Sequence, residues 1–412
     1  MRQMKLLVRV AFGIFLSCQT AAQAEGRLVI AGGAVSHDNE AVWQAFIDGL
    51  PDEGAVYVIP AASSSPQRSA QRAKAALAMH GLDPSRILVA PLAVRDDRDT
   101  KGVNEAKWRK NAKDSGLAEG LARAAGLWFT GGDQLRITDL LLGKGEETLT
   151  LAAIRQAHKR GAVIGGTSAG AAIMSELMIF GGDSLSALRF EPALKEGKGL
   201  LLTEGLGFFP YGVVDQHFGE RGRLGRLIRA VATVPDLSFR LGFGVDEDTA
   251  LIVDGPRLAV VGEGYVTVVD GTGATLSTIG ERLAAEGIAL HLLGADDIFD
   301  LGSGAIAPAA YRASTLKDPY NNRPILGGGG MAFGQQSLAS VIGDALLDNS
   351  ASQQVVRDSF DETGAGVRYI FRQPKNALGF WGRPPDGDAR YTVIGVQMSL
   401  FPITVTIEEI KE

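Results

Sequence analysis

The chain has 412 residues, 45% of them hydrophobic, with a formal charge of −6. That length and apolar content suffice for one sizeable core with a smaller satellite. The mildly acidic balance argues against nucleic acid as a partner, and no stretch after the N-terminus is long and apolar enough to span a bilayer.

Residues 1–24 have the layout of a secretory signal. Arg2, Lys5 and Arg9 are basic, Val10 to Leu16 is apolar, and Ala22-Gln23-Ala24 is a small-x-small cleavage site before Glu25. Cleavage after Ala24 removes those three positive charges and no acid, taking −6 to −9. It also removes Cys18, the single cysteine of the chain. The mature protein, secreted or periplasmic, is then free of disulfides and of any thiol nucleophile. A lipid anchor on Cys18 fits less well, because Phe15-Leu16-Ser17-Cys18 puts its apolar residue one place too close to the cysteine.

Strands and helices then alternate. Arg27 to Ala31 reads as a first strand ending in Gly32-Gly33, Ala41 to Leu50 has helical spacing, and Ala55 to Ile59 is a second strand. A helix starts at Ser63-Ser64-Ser65-Pro66 and runs through Met79 to Gly81. Arg86 to Ala90 is strand three. After the charged stretch Asp96 to Lys101, a helix runs to about Ala125, followed by the strand Gly126 to Thr130. Short, continuous, apolar strands alternating with helices predict an α/β fold with a doubly wound, mostly parallel sheet. In such sheets ligands bind beyond the carboxyl ends of the strands. Three Gly-rich loops fall there: Gly32-Gly33, Gly131-Gly132-Asp133-Gln134, and the loop at Ser168.

That last loop organises the chain. Ala162-Val163-Ile164 is a strand, the residues from Ala169 onward are helix-compatible, and Gly166-Thr167-Ser168-Ala169-Gly170 between them fits G-x-S-x-G. A strand turning directly into a helix strains its corner residue and leaves no room for side chains two positions either side. The glycines supply that room, and the serine hydroxyl is lifted clear of the sheet. The helix behind it aims the N–H of Ala169 at an oxyanion beside Ser168, and one from Gly131-Gly132 would be a second donor. The same residues also suit a plain Gly-rich turn, with Asp133 as a helix N-cap.

Of five histidines, His217 is the best general base, because it ends the strand Val213 to Gln216 among polar groups. His158, in a basic helix, reads as solvated; His80 closes a helix before Gly81; His37 follows the first Gly-rich loop and could line a cleft. His291 reads as a core or strand residue. Arg221, Arg223 and Arg226 make either a solvated helix face or a bidentate site for substrate carboxylates. The strand from Gly242 ends in Asp246-Glu247-Asp248, where Glu247, the middle acid, is the candidate orienter of the imidazole and Asp215 its rival. No His/Cys/Asp spacing suggests a metal and no Gly-rich phosphate loop opens a helix, so the expected chemistry is free of cofactors.

Gly131-Gly-Asp-Gln134, Gly165-Gly-Thr-Ser-Ala-Gly-Ala171 and Asp215-Gln-His-Phe-x-x-Arg-x-Arg-x-x-Arg226, in this order and spacing, resemble the cyanophycinase family of serine peptidases. The exported form, with a signal peptide and a C-terminal extension, is the nearest likeness, over roughly residues 26–300. Aspartyl dipeptidases and the class I glutamine amidotransferase-like fold are more distantly similar. The resemblance implies hydrolysis of cyanophycin, a polyaspartate with arginine on each side-chain carboxyl, to β-Asp-Arg dipeptides. It implies Ser168 as nucleophile, His217 as general base and Glu247 as third member, with Gly132 and Ala169 at the oxyanion. Gln134, Asp215, Gln216, Arg221, Arg223 and Arg226 match its substrate-pocket positions. A dipeptidase for aspartyl or isoaspartyl peptides, and an inactive exported binding protein, are the alternatives on the same fold.

From about Gly302 the composition changes, with a Gly/Ala/Pro-rich run to Gly330. Gln335 to Leu347 reads as a helix, and Gly366 to Phe371 and Arg390 to Ile407 as antiparallel strands. In the second of these Val393, Gly395, Gln397 and Ser399 share one face, and Thr392, Ile394, Val396 and Met398 the other. The expected division is therefore a signal peptide at 1–24, a catalytic domain at 25–301 and a small α+β extension at 302–412. Docking on the catalytic domain, homodimerisation and retention of insoluble polymer are roles open to the extension.

Overall fold

A computed structural model describes residues 25–143, 147–234, 240–325, 329–331, 337–406 and 408. The expected leader with Cys18, the start of the helix expected from Gln335 and the strand end expected at Ile407 lie outside the described residues.

Five short parallel strands form the first half of a nine-stranded sheet: β1 (Leu28–Ala31), β2 (Val56–Ile59), β3 (Ile87–Val89), β4 (Gly126–Phe129) and β5 (Val163–Thr167), in the order β3-β2-β4-β5-β1. The helices between them are α1 (Glu40–Ile47), α2 (Pro66–Met79), α3 (Ser115–Ala122), α4 (Gln134–Leu141) and α5 (Leu149–Lys159). Alternate strand residues point to opposite faces, which sorts the helices into two layers. Val29, Val56 and Val58 meet Val42, Phe46 and Leu77 of α1 and α2 on one face. Leu28, Ile30, Ile59 and Phe129 meet Leu121, Ile137 and Ile154 of α3, α4 and α5 on the other. This is the doubly wound core expected from the sequence.

Helix α6 (Ala169–Ala172) follows β5, and a hairpin of β6 (Leu177–Gly181) and β7 (Leu201–Glu204) holds α7 (Ser184–Arg189) between its strands. Then come β8 (Val213–Gln216), α8 (Leu224–Thr233) and β9 (Leu241–Val245). Here the chain changes sheets. β10 (Thr249–Asp254) returns to the first sheet, antiparallel to β1, followed by β11 (Arg257–Gly262). β12 (Val266–Asp270) pairs with β9, and β13 (Thr275–Ile279) with β14 (Arg282–Leu293). β15 (Ile298–Asp300) and β16 (Ala305–Ala307) complete the first sheet.

The remaining strands are β17 (Ala313–Ser314), β18 (Gln354–Phe360), β19 (Ala365–Arg372), β20 (Leu378–Gly382) and β21 (Arg390–Thr404). They extend a second, ten-stranded sheet whose main path is β17-β20-β21-β14-β12-β9-β8. Strands from both sides of position 302 therefore share each sheet. β16 lies in the first, and β21 pairs with β14 in the second, where Leu290 is opposite Val396 and Ile288 opposite Met398. The unit expected at 302–412 has no sheet of its own. The strict alternation expected along β21 also fails, because Gly395 takes φ +73° at a register shift opposite Leu290 to Leu292. Val393 and Val396 are consequently both fully buried.

Candidate active site

Parallel pairing sets the site. Ala31 lies opposite Thr167, and Phe129 opposite Gly166, so the loops after β1, β4 and β5 emerge together. β8 runs parallel to β9 with Gln216 opposite Val245, which brings His217 and Asp246-Glu247-Asp248 to one end of the second sheet. The three loops and the two sheet ends meet at one rim.

Ser168 sits at the corner with φ 55° and ψ −110°, a region that side chains rarely adopt. Such strain costs of order 1–3 kcal/mol and persists only where the surroundings hold it. The Ser168 N–H donates to Ala31 O (3.0 Å), and its carbonyl accepts from Ala171 and Ala172. The glycines two residues either side are crowded as the motif requires. A Cβ on Gly166 would lie 2.3 Å from Gly170 O, and one on Gly170 would lie 2.4 Å from Phe129 O. Ala169 opens α6, so its N–H has no acceptor within the helix. Gly131 packs on the serine from the other side, a Cβ there falling 3.3 Å from that of Ser168.

The His217 ring bridges the two remaining groups. Nε2 is 2.8 Å from Ser168 Oγ and Nδ1 is 2.5 Å from Glu247 Oε1. A carboxylate only accepts, so Nδ1 carries the proton and Nε2 receives the serine hydroxyl. Burial lowers the imidazole pKa, with Arg221 and Arg223 adding to the effect and the Glu247 contact opposing it. The neutral, proton-accepting ring is thereby favoured.

The backbone around the ring is fixed by short contacts. His217 has φ 46° and its N–H donates to Gly32 O (2.7 Å). Gly33, at φ +128°, lies against the imidazole, and a Cβ there would fall 2.2 Å from Cε1. The three acids divide their tasks. Asp246 accepts from the N–H groups of Gly219 (2.8 Å) and Tyr265 (3.0 Å), and Asp248 from Ser36 N–H (2.5 Å) and Asn39. Glu220 accepts from the Glu247 N–H (3.2 Å). With its neighbours tied to loops, the middle acid faces the ring. Desolvation, then the charge of Glu220, pushes Asp246 up to about 7.

Ser168 and His217 open on a cavity of about 740 Å³. Its walls include His37, Trp43, Ser63, Ser64, Ser65, Arg68, Ser69, Arg72, Thr130 and Gly131. The cleft position expected for His37 is thus found. The α2 residues carry no motif, and only the fold brings them to the serine.

The expected pocket residues are placed differently. Asp215 and Arg226 are both buried and pair with each other, Nε to Oδ2 at 2.7 Å and Nη2 to Oδ1 at 2.6 Å, while Nη1 reaches Gly182 O (2.9 Å). Neither lines the cavity. The eleven-residue separation folds β8 and α8 back on each other, so the two charges satisfy one another internally. Arg223 donates to Gln216 O and lies 3.6 Å from Asp215. Burial pulls its guanidinium down to about 10. Gln134 donates to Ile179 O (3.0 Å), Gln216 is buried with no partner for Oε1 among the described residues, and Arg221 is exposed. Gly132, at φ +144°, packs its Cα against Ala62 O. His158, expected in solvent, is buried because it faces inward from α5, with Nδ1 3.2 Å from Ala162 O. No group of metal-ligating side chains occurs among the described residues.

An activated hydroxyl beside a helix N-terminus, at the carboxyl edge of a doubly wound sheet, is the arrangement of a serine hydrolase. The model of peptidase family S51 matches residues 28–261, a span that includes Ser168, His217 and Glu247, and the chain belongs to that family. Among curated proteins, cyanophycinases from Trichormus variabilis and from a Nostoc species are each 37% identical over 221 residues, covering 52% of this chain and 69% of the relative. Among solved structures, a peptidase from an acI-B1 Actinobacterium aligns with TM-score 0.45 and 21% identity, covering 68% of this chain and 98% of that one. A putative peptidase E protein from Listeria monocytogenes aligns with TM-score 0.36 and 15% identity, covering 58% and 99%.

Proposed function

We propose that this chain is an exported serine exopeptidase that degrades cyanophycin to β-Asp-Arg dipeptides through an acyl-enzyme on Ser168. The carrying observation is the single imidazole in contact with both the Ser168 hydroxyl and the Glu247 carboxylate at the mouth of a cavity sized for a dipeptide unit. The named cyanophycinases that match the chain support the substrate.

In this reading Ser168 Oγ attacks a main-chain carbonyl while His217 Nε2 takes its proton. Glu247 keeps the ring oriented and stabilises the imidazolium. The N–H groups of Ala169 and Gly132 hold the oxyanion. His217 then protonates the leaving amine, the acyl-enzyme forms, and a water activated by the same ring releases the product. Buried Arg226 holds Asp215 of β8, while Arg221 and Arg223 lie close enough to His217 to act on its charge.

The test is clearing of insoluble cyanophycin by the purified chain, with Ser168→Ala as control and products identified by mass. Clearing with release of β-Asp-Arg supports the assignment. Hydrolysis of isoaspartyl dipeptides alone would redirect it to a dipeptidase. N-terminal sequencing of the mature protein from cell fractions tests export, the expected first residue being Glu25.

A further inference from the structure

The cavity beside Ser168 is charged on one side only. Among the described residues lining it there are two arginines, Arg68 and Arg72, and no aspartate or glutamate. The two follow each other one turn apart on α2, so their side chains leave the same helix face. They differ in engagement. Arg68 is held by Asp97 (2.8 Å) and lies 3.5 Å from Asp99, whereas Arg72 takes part in no ion pair among the described residues. A second polar group is also left over. Thr130, 3% exposed and part of the same cavity wall, has no hydrogen-bond partner for Oγ1 among the described residues.

We infer that Arg72, seconded by Arg68, is a specificity determinant that receives a carboxylate of the bound substrate. The inference rests on the cyanophycin reading, which supplies the ligand chemistry. Each unit of that polymer carries one free carboxylate, on the arginine branch, and one guanidinium. Within the cavity the guanidinium meets no acid, so it is directed toward solvent. The carboxylate meets an unpaired guanidinium able to form a two-point contact. Branches that have lost this anion forgo that two-point contact and so bind less tightly.

The experiment compares steady-state kinetics on short β-Asp-Arg oligomers with those on oligomers whose branches carry agmatine, which has the guanidinium and lacks the carboxylate. The wild-type chain should show a KM about 10–100-fold higher on the agmatine oligomer, with the loss falling mainly on KM. Arg72→Ala should show a similarly raised KM on the arginine oligomer and little further change on the agmatine one, and Arg72→Lys should recover part of the affinity. Arg72 is exposed, and circular dichroism of each variant checks its fold. Equal wild-type KM for the two oligomers overturns the inference alone, as does an Arg72→Ala loss of equal size on both. A wild-type chain that hydrolyses neither oligomer overturns the cyanophycin reading, and this inference with it.

Discussion

The serine and the histidine of the site are held in contrasting ways. Ser168 belongs to the first sheet, and its position follows from ten consecutive residues: a strand, a strained corner and a short helix. His217 belongs to the second sheet, at the end of its last strand, and its register passes through β9, β12 and β14 to β21 at the far end of the chain. One half of the catalytic pair is therefore a local construction. The other depends on strands more than a hundred residues away. Chemistry at the rim requires both sheets, yet only one of them announces itself by a motif.

Four substitutions test that contrast, in decreasing size of effect. Ser168→Ala should lower kcat on cyanophycin by about 10⁶-fold, while leaving far-UV circular dichroism and the denaturation midpoint unchanged. Asp297→Ala attacks the second sheet instead. Asp297 is fully buried, pairs with Arg312, accepts from Thr392 of β21 (2.7 Å) and from Ala309 N–H (2.8 Å), and so ties the C-terminal strands to the turn after β14. Removing one member of a buried pair typically costs about 3–5 kcal/mol, measurable as a drop in the urea midpoint. Activity should fall in step with the folded fraction. A variant that keeps its midpoint but loses kcat would show that the second sheet acts on the chemistry rather than on folding.

Gly33→Ala probes where the two sheets touch. Its new methyl would collide with the His217 ring, and a displacement near 1 Å should cost about 100-fold in kcat. Unchanged kcat would mean that the ring is less tightly seated than the 2.8 Å contact with Ser168 implies. The smallest effect is electrostatic. Burial lowers the imidazole pKa of His217, so the acid limb of kcat/KM should lie below about 6.5. Arg221 lowers it further, being a positive charge that disfavours the imidazolium. Arg221→Ala should thus move the limb toward higher pH by a fraction of a unit, more at low ionic strength than at high. A shift the other way would contradict the ring's electrostatic surroundings.

The sequence was informative where structure is local. β1 to β4 fall within a residue of their apolar runs, β5 runs three residues past Ile164 to Thr167, and α2 ends at Met79 as its cap predicts. The corner at Ser168 could be located from glycine spacing because the close approaches it permits are two residues away. What stayed hidden was set by long-range pairing. The strand from Gly242 ends at Asp246-Glu247-Asp248 as its sequence suggests, but nothing local says that those acids cross between sheets, with β9 in one and β10 in the other. Charges were legible as charges and not as partners. Nothing in the spacing of Asp215 and Arg226 says whether they meet a ligand or each other, and burial decides it. Arg72 stands on an ordinary amphipathic helix, and its place beside the serine appears only when α2 packs over β2 and β3. Of the C-terminal strands, β19 and β21 were legible, but the pairing of β21 with β14 across position 302 has no local pattern that points to it.

Trp43 and Trp128 line the cavity with ring centroids 4.7 Å apart and planes tilted by 41°, two of the chain's four tryptophans. Indoles that close and that oblique couple their excited states, giving a far-ultraviolet circular dichroism couplet whose shape follows the mutual orientation of the pair. A Ser168→Ala protein mixed with substrate should therefore report occupancy of the cavity by its own light absorption, with no dye attached.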